Sequence, residues 1–278
     1  MESVLIFVSG SSGAGKNSII NGLIANNPKK CKFLVSNTTR AKRPSDKRVG
    51  QYHFLTKEQF ENKIAAGEML EYDLYNGNYY GLDVQEVDSS AETGKVLLKD
   101  LTVKGVLNSK EVLSGKYKQI GVFVTERKKV LKDRLINRGE NKQTIKSRLK
   151  FYKTEQKMSR HYDYVMYNTS LTQSVDAMQG IMNTEYLGLP ILTNVSTQRI
   201  SARRIEKVAK KLRAGKLPKP IEVAVIDGRI YIVQGVNTYL AGLATGVLVN
   251  KLFVNKYEKL NKDIDQEEWL KIVDNFSK

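Results

Sequence analysis

The chain has 278 residues, 41% of them hydrophobic, and a formal net charge of +17. Its length suits one large or two modest globular domains, and its composition argues against global disorder and, with no apolar run near the ~20 residues that span a bilayer, against a membrane helix. One cysteine, Cys31, excludes an internal disulfide and fits a reducing cytoplasm, while one Cys and two His speak against structural zinc. The basic surplus favours anionic partners, although scattered surface lysines account equally well for most of it.

In chain order, Val4 to Val8 is a continuous apolar run, as expected of a strand covered on both faces, and the start shows no basic leader. A Gly/Ser-rich turn precedes a predicted helix from Lys16 to Ala25, and Phe33 to Ser36 predicts a second strand. Thr56 and Gln59 make a capping box, Phe60 and Ile64 share a helical face, and Gly67 suits the helix stop. Val96 to Leu98 and Gly121 to Val124 read as buried strands. Basic helices are predicted over 128–137 and 141–160, then a strand at Tyr164 to Met166. Alternation of strands and helices argues an α/β fold with a mainly parallel sheet.

Composition shifts near 186–196, where a domain boundary is placed. Beyond it, Ser201 caps a basic helix ending at Gly215. Asp227-Gly228 joins the strands 221–226 and 229–233 as a hairpin. A short helix over 237–244, a strand over 247–254 and a last helix around Trp269, Ile272, Val273 and Phe276 follow.

The strongest local signal is Gly10-Ser11-Ser12-Gly13-Ala14-Gly15-Lys16-Asn17-Ser18, set between a strand and a helix. This is the context a phosphate-binding P-loop requires. Glycines let backbone N–H groups turn inward, the helix N-terminus adds partial positive charge, and Lys16 supplies a mobile full charge for β and γ phosphates. A chance lysine in a glycine-rich turn is the plainer alternative. Asn17 stands where the general pattern has Ser or Thr for magnesium, and Ser18 follows it.

Downstream lie Ser36, Arg40 and Arg43, then Tyr52, Glu71 and Tyr80 in Gly77-Asn78-Tyr79-Tyr80-Gly81. Arginines three apart with tyrosines clamp a phosphate by bidentate and hydroxyl bonds. Across residues 4 to 182, the P-loop, TTR-x-x-R, G-x-Y-x-F, Glu71, GNYYG, RL-x-x-RG, Arg148-Leu149 and Asp163-Tyr164-Val165 with Asn168 closely resemble guanylate kinase. The resemblance implies a P-loop nucleoside monophosphate kinase fold over 1–186, with a parallel-sheet core, an acceptor-binding lobe near 34–87 and a lid near 126–160. It implies transfer of the γ-phosphate of ATP, bound with Mg²⁺ through residues 10–18, to GMP or dGMP. Arg40, Arg43, Tyr52 and Tyr80 would hold the acceptor phosphate, Ser36 would join the acceptor site, and Glu71 would read guanine. Lys16, Arg134, Arg138 and Arg148 would be catalytic. An exposed basic helix face is the alternative for Arg134 and Arg138.

Two positions depart from the family. Leu82 replaces the usual Ser or Thr after GNYYG. Of an Asp-x-Asp pair only Asp100 remains, able to organise magnesium through water, while Thr102 stands where a carboxylate near the base is expected. Choice of base and sugar is thereby less constrained.

Residues 190–278 more faintly resemble the ParB/sulfiredoxin-like fold, a smaller α+β unit, through Arg199-Ile200-Ser201, the basic helix, Lys219-Pro220-Ile221 and Ile230 to Ala241. Asn237 and Thr238 replace the His-Arg that serves phosphate chemistry there, so family catalysis is expected to be lost. Arg203, Arg204, Lys207, Lys210, Lys211, Arg213 and Lys216 crowd one helix and its end, which suits nucleic acid or a simply solvated face. Three readings follow: a cytoplasmic nucleotide kinase, a guanylate-kinase-like binding module without catalysis, and a nucleic-acid-associated protein.

Overall fold

The computed structural model describes residues 3–42, 52–75, 77–254 and 264–277. Its elements in chain order are β1 (Val4–Gly10), α1 (Lys16–Asn26), β2 (Cys31–Phe33), β3 (Ser36–Thr38), β4 (Tyr52–Phe54), α2 (Lys57–Ala65), β5 (Met69–Tyr75), β6 (Asn78–Asp83), α3 (Val84–Ala91), β7 (Val96–Asp100), α4 (Val103–Val112), β8 (Lys118–Thr125), α5 (Lys128–Asn137), α6 (Lys142–Arg148), α7 (Tyr152–Met158), β9 (Tyr164–Tyr167), α8 (Leu171–Glu185), β10 (Leu192–Thr193), α9 (Ala202–Arg213), β11 (Ile221–Ile226), β12 (Arg229–Gln234), α10 (Val236–Thr245), β13 (Lys251–Phe253) and α11 (Gln266–Ser277). The chain folds as two units, one of Met1–Ser9 with Ile24–Gln119 and one of Gly10–Leu23 with Ile120–Lys278.

In the first unit β1 and β2 flank β7, both in parallel register with it, Val4 and Cys31 each opposite Val96. Leu5 to Val8 are fully buried. Burying each such side chain contributes roughly 1.5–3 kcal/mol, enough to make the apolar run a core strand without any alternation. A separate sheet runs β4-β3-β6-β5, with β5 and β6 antiparallel. The capping box at Thr56 and Gln59 forms as expected, and Gly67 follows the end of α2 with φ +69°.

In the second unit β8, β9, β13 and β11 run parallel in that order, β12 is antiparallel to β11, and β10 pairs with β12. The segment beyond residue 190 thus shares its sheet with β8 and β9. Helix α8 packs against β11 and β12. Asp227 and Gly228 both have positive φ (+50° and +70°), as a two-residue hairpin with matching twist demands. Trp269 is fully buried and its indole N–H reaches Ile191 O at 2.9 Å, which fixes α11.

Three expectations change in detail. The strand expected over 33–36 is two, β2 and β3. The helix expected over 141–160 breaks between Leu149 and Phe151 into α6 and α7. Neither Gly nor Pro marks that break. The buried Leu149 closes α6 by bonding Ile145 O, and Tyr152 turns to give its hydroxyl to Glu126 O at 3.1 Å. The strand expected over 247–254 is only β13, because Gly246 ends α10 in the left-handed region and residues 247–250 carry the chain to the edge of β9.

β1 ends where no side chain fits. Gly10 has φ +130°, and a Cβ there would stand 1.9 Å from Val124 O. Gly10→Ala is expected to lose at least about 3 kcal/mol of stability through clash and strain. Thermal unfolding checks this, and a Tm within about 2 °C of the parent overturns it.

Candidate active site

The second unit holds the loop expected to cradle phosphate. After β1 the chain turns through Gly13 and Gly15, both at positive φ, and enters α1 at Lys16. Such left-handed turns aim successive N–H groups into one concavity, and the α1 N-terminus adds its dipole. The loop is held from below: Ser11 N donates to Val124 O at 3.2 Å, and the Asn168 amide donates to Ala14 O at 2.7 Å. Lys16 Nζ folds across the loop onto Gly10 O at 2.9 Å. Asn17 and Ser18 are exposed at the start of α1.

Basic side chains of the same unit meet this loop. Arg134, on α5, gives Nη2 to Asn168 O at 2.6 Å and Nη1 to Ala14 O at 3.5 Å. Arg148, at the end of α6, pairs with Glu140 at 2.9 Å and reaches Ser12 Oγ at 3.3 Å. Arg138 is exposed just past α5. So Arg134 and Arg148 contact the loop directly, while Arg138 stays in solvent.

The sequence reading overlooked the groups of α7. Gln156 Nε2 donates to Thr125 Oγ1 at 2.5 Å and to Ser11 Oγ at 3.3 Å. Glu155 sits beside it, its carboxyl held above the ordinary value by burial, against the opposing effects of a Ser11 hydrogen bond and the charge of Lys16. No motif marks these residues. Asn168 was legible only as part of a pattern, and its grip on Ala14 emerges from the fold.

The first unit holds the second cluster. Ser36 on β3 lies opposite Tyr52 on β4, and Thr38 opposite Tyr80 on β6, so adjacent strands bring the predicted residues onto one small sheet. The rings of Tyr52 and Tyr80 are 6.1 Å apart, edge to face. Arg40 lays its guanidinium over Tyr52 and Phe54, 5.2 and 5.4 Å from the ring centroids. This cation–π seat orients the guanidinium on the small sheet. Arg43 lies outside the described residues.

Glu71, on β5, stands opposite Leu82, which is fully buried. Burial pushes the Glu71 carboxyl up to about 7; Lys99 pulls it down, while Asp73 and Asp100 push it further up. Lys99 is itself buried, donates to Leu34 O at 2.9 Å and lies over the Phe33 ring. Its amine is held below the usual lysine range by burial, against the pull of Asp100, Glu71 and Glu86. Thr102 caps α4 by accepting from Gly105 N at 3.0 Å, which leaves its own proton to donate. A Cβ on Gly105 would meet Glu71 Oε2 and Thr102 Oγ1, each at 3.3 Å. The missing side chain at Gly105 therefore leaves room where a carboxylate and a hydroxyl converge. Asp100 ends β7, half-buried.

Among the described residues no group of three or more His, Cys, Asp or Glu is placed to hold a metal ion, and no helix is long and apolar enough to cross a membrane.

Comparison with known proteins agrees with this geometry. The family model for guanylate kinase matches residues 2–185. Guanylate kinase of Latilactobacillus sakei is 32% identical over 189 residues, 67% of this chain and 92% of that protein. Guanylate kinase of Streptococcus pyogenes is 34% identical over 186 residues, 66% of this chain and 86% of that protein. The crystal structure of guanylate kinase from Anaplasma phagocytophilum superposes with a TM-score of 0.51 at 23% identity, covering 67% of this chain and 87% of that one, a likeness of fold.

A buried carboxyl with a raised pKa costs stability as it ionises. For Glu71, stability is highest below its ordinary value of 4.5 and falls as pH rises toward 7. Glu71→Gln is therefore expected to raise Tm relative to the parent at pH 8 but not at pH 4.5. Thermal melts at the two pH values test it, and an equal difference at both overturns it.

Proposed function

The chain belongs to the guanylate kinase family, and we propose that the groups just described divide the labour of ATP:GMP phosphotransfer. The enzyme moves the γ-phosphate of ATP to GMP, giving ADP and GDP. The observation that carries this is the family match across residues 2–185 together with an intact cradle: Lys16 on the loop, Arg134 and Arg148 against it.

Residues 10–18 hold the ATP phosphates by backbone N–H groups, and Lys16 swings from Gly10 O to the β and γ phosphates. Arg134 and Arg148, with Arg138 drawn in from solvent, neutralise the equatorial oxygens of the transferring group. This reaction is catalysed mainly by such positioning and charge. Closure of the lid, residues 126–160, excludes water and so suppresses wasteful hydrolysis. Arg40, Arg43, Tyr52 and Tyr80 hold the acceptor phosphate, and Ser36 buttresses them. The acceptor oxygen attacks directly and no covalent enzyme intermediate forms.

Mg²⁺ would fit hard oxygen donors: the second unit offers the Ser18 hydroxyl, and Asp100 of the first unit is a donor of the same kind that would act through water. When bound, the ion would screen the phosphate charge.

Glu71 reads the base. Its carboxylate accepts from guanine N1–H and the 2-amino group, whereas adenine presents a bare acceptor. Leu82 offers no polar contact, so Thr102 supplies the remaining hydroxyl. A binding module without catalysis would have no use for Lys16, Arg134 and Arg148 on one loop, and that reading is set aside.

For residues 190–278 we infer a ParB/sulfiredoxin-like accessory domain that contacts nucleic acid. In its support, α9, the hairpin β11–β12, α10 and β13 follow in order. A cavity of about 450 Å³ is lined by Arg199, Arg204, Lys207, Gly235 and Asn237. Asn237 spends its amide on Ser201 N and Arg199 O, a structural use in keeping with lost catalysis. A cytoplasmic setting accords with Cys31, a buried thiol pushed up to about 11 mainly by burial.

Three outcomes are expected. Lys16→Ala loses at least about 10³-fold in kcat without change in the far-UV spectrum, and parent-like turnover overturns the site. The KM for GMP rises as pH falls below 7, by up to about tenfold per pH unit, because the proton on Glu71 must leave before both bonds form; Glu71→Gln flattens that profile, and a profile unchanged by the substitution overturns the role of Glu71. Full-length protein binds duplex DNA with an affinity that falls steeply with salt. Anisotropy titrations at several salt concentrations decide, and salt-independent or absent binding removes the nucleic-acid reading.

A further inference from the structure

The family match stops at residue 185, yet the chain continues as part of the same sheet. Strand β13 lies in parallel register on β9, Lys251 opposite Tyr164 and Phe253 opposite Met166. The C-terminal end of β9 leads to Asn168, which grips Ala14 of the cradle and receives Arg134. Its N-terminal end is where the segment 126–160 returns to the sheet, through a short 3-10 turn at Ser159–His161.

At that return stands Asn250, 9% exposed. Its amide donates to Ser159 O at 3.0 Å and to Tyr162 O at 2.7 Å. One primary amide thus satisfies two carbonyls on either side of the turn. Its own backbone is fixed as well: Asn250 O accepts from Ile221 N of β11 at 3.0 Å, and the next residue, Lys251, donates N–H to Asp163 O at 3.0 Å. Asp163 in turn accepts from Gly121 N of β8 at 2.7 Å. The ring of Phe253 stacks on Tyr164, and the Lys251 ammonium lies over the Tyr164 ring, 4.6 Å from its centroid.

We propose that Asn250 is a positioning residue for phosphoryl transfer: from the added C-terminal segment it clamps the return hinge of the lid and so sets where Arg148 and Gln156 meet the cradle. The inference rests on the kinase reading above for its consequence, and on the hydrogen bonds alone for the clamp. Removing the amide takes one hydrogen bond from each carbonyl, while Ser159 O still accepts from Tyr162 N at 3.1 Å, and a buried carbonyl replaces such a bond only by moving toward water. The turn then opens, and the groups of α6 and α7 lose their fixed approach to Ser11 and Ser12. Binding of GMP, which draws on residues of the other unit, does not depend on the clamp.

The test compares the parent with Asn250→Ala and, should alanine fail to fold, Asn250→Ser, which keeps one donor. Two readouts are independent of the fraction of active protein. The first is the ratio of ATP hydrolysed to GDP formed at saturating substrates, expected to rise at least about fivefold while the KM for GMP stays within about twofold. The second is amide exchange at residues 159–163, expected to quicken at least about tenfold while β8 is unchanged. An unchanged ratio in a folded variant overturns the positioning role, and unchanged exchange overturns the clamp. If the parent itself fails to phosphorylate GMP, the kinase reading falls and takes the positioning role with it. The exchange measurement still judges the clamp.

Discussion

A backbone approach too close for any side chain underlies the second unit. Gly10 presses against the carbonyl of Val124, and Ser11 N bonds to that same carbonyl. The turn that follows is therefore tied to β8 before it enters α1, and its glycines are free to aim N–H groups into one concavity. Asn168, at the end of β9, completes the hold by bonding Ala14 O. Strands β8 and β9 are neighbours, so one sheet edge grips the loop at two points. Such fixed N–H groups are the kind of preorganised donors that electrostatic catalysis uses.

The first unit solves the opposite problem. Its cluster holds a carboxyl in a place where burial disfavours the negative charge. Glu71 lies across from the apolar Leu82 and is pushed up to about 7 mainly by burial. Lys99, buried against Leu34 and Phe33, works against that shift. A carboxylate balanced in this way gains most from a ligand that donates two hydrogen bonds to it. The same balance makes it a poor host for a ligand that donates none. Beside it, Leu82 offers no polar group and Thr102 is tied to capping α4.

Beyond residue 185 the chain widens the sheet it already has. Strand β13 covers the edge that β9 would otherwise present, and β11, β12 and β10 continue outward. An uncovered edge is an invitation to foreign strands, so the extension also removes a hazard. Because β9 connects the turn at Ser159–His161 to Asn168, which holds Ala14, a strand added there contacts the turn at one end of β9 and pairs along the strand that leads to Asn168 at the other.

Much of this was legible in the residues alone. The P-loop, the buried strands, the capping box at Thr56, the Asp227-Gly228 hairpin and the basic helices α5 and α9 are local, because each depends on spacing within a few residues. The ordered motifs likewise singled out Lys16, Arg134 and Arg148, which the fold brings to one loop, and Arg40 and Glu71, which lie in the other unit. What escaped was whatever depends on partners distant in sequence. The break between α6 and α7 follows from Leu149 turning inward and Tyr152 reaching Glu126. Gln156 on Ser11, Gly105 beneath Glu71 and Asn250 on the lid hinge carry no signature, since one amide or one glycine looks like any other until the fold supplies its neighbour. Sequence by itself determined the chemistry at each half of the reaction. Only the tertiary structure decided what holds it in place, because hydrogen bonds across some ninety residues, such as Asn250 to Ser159, are set by strand register and not by local pattern.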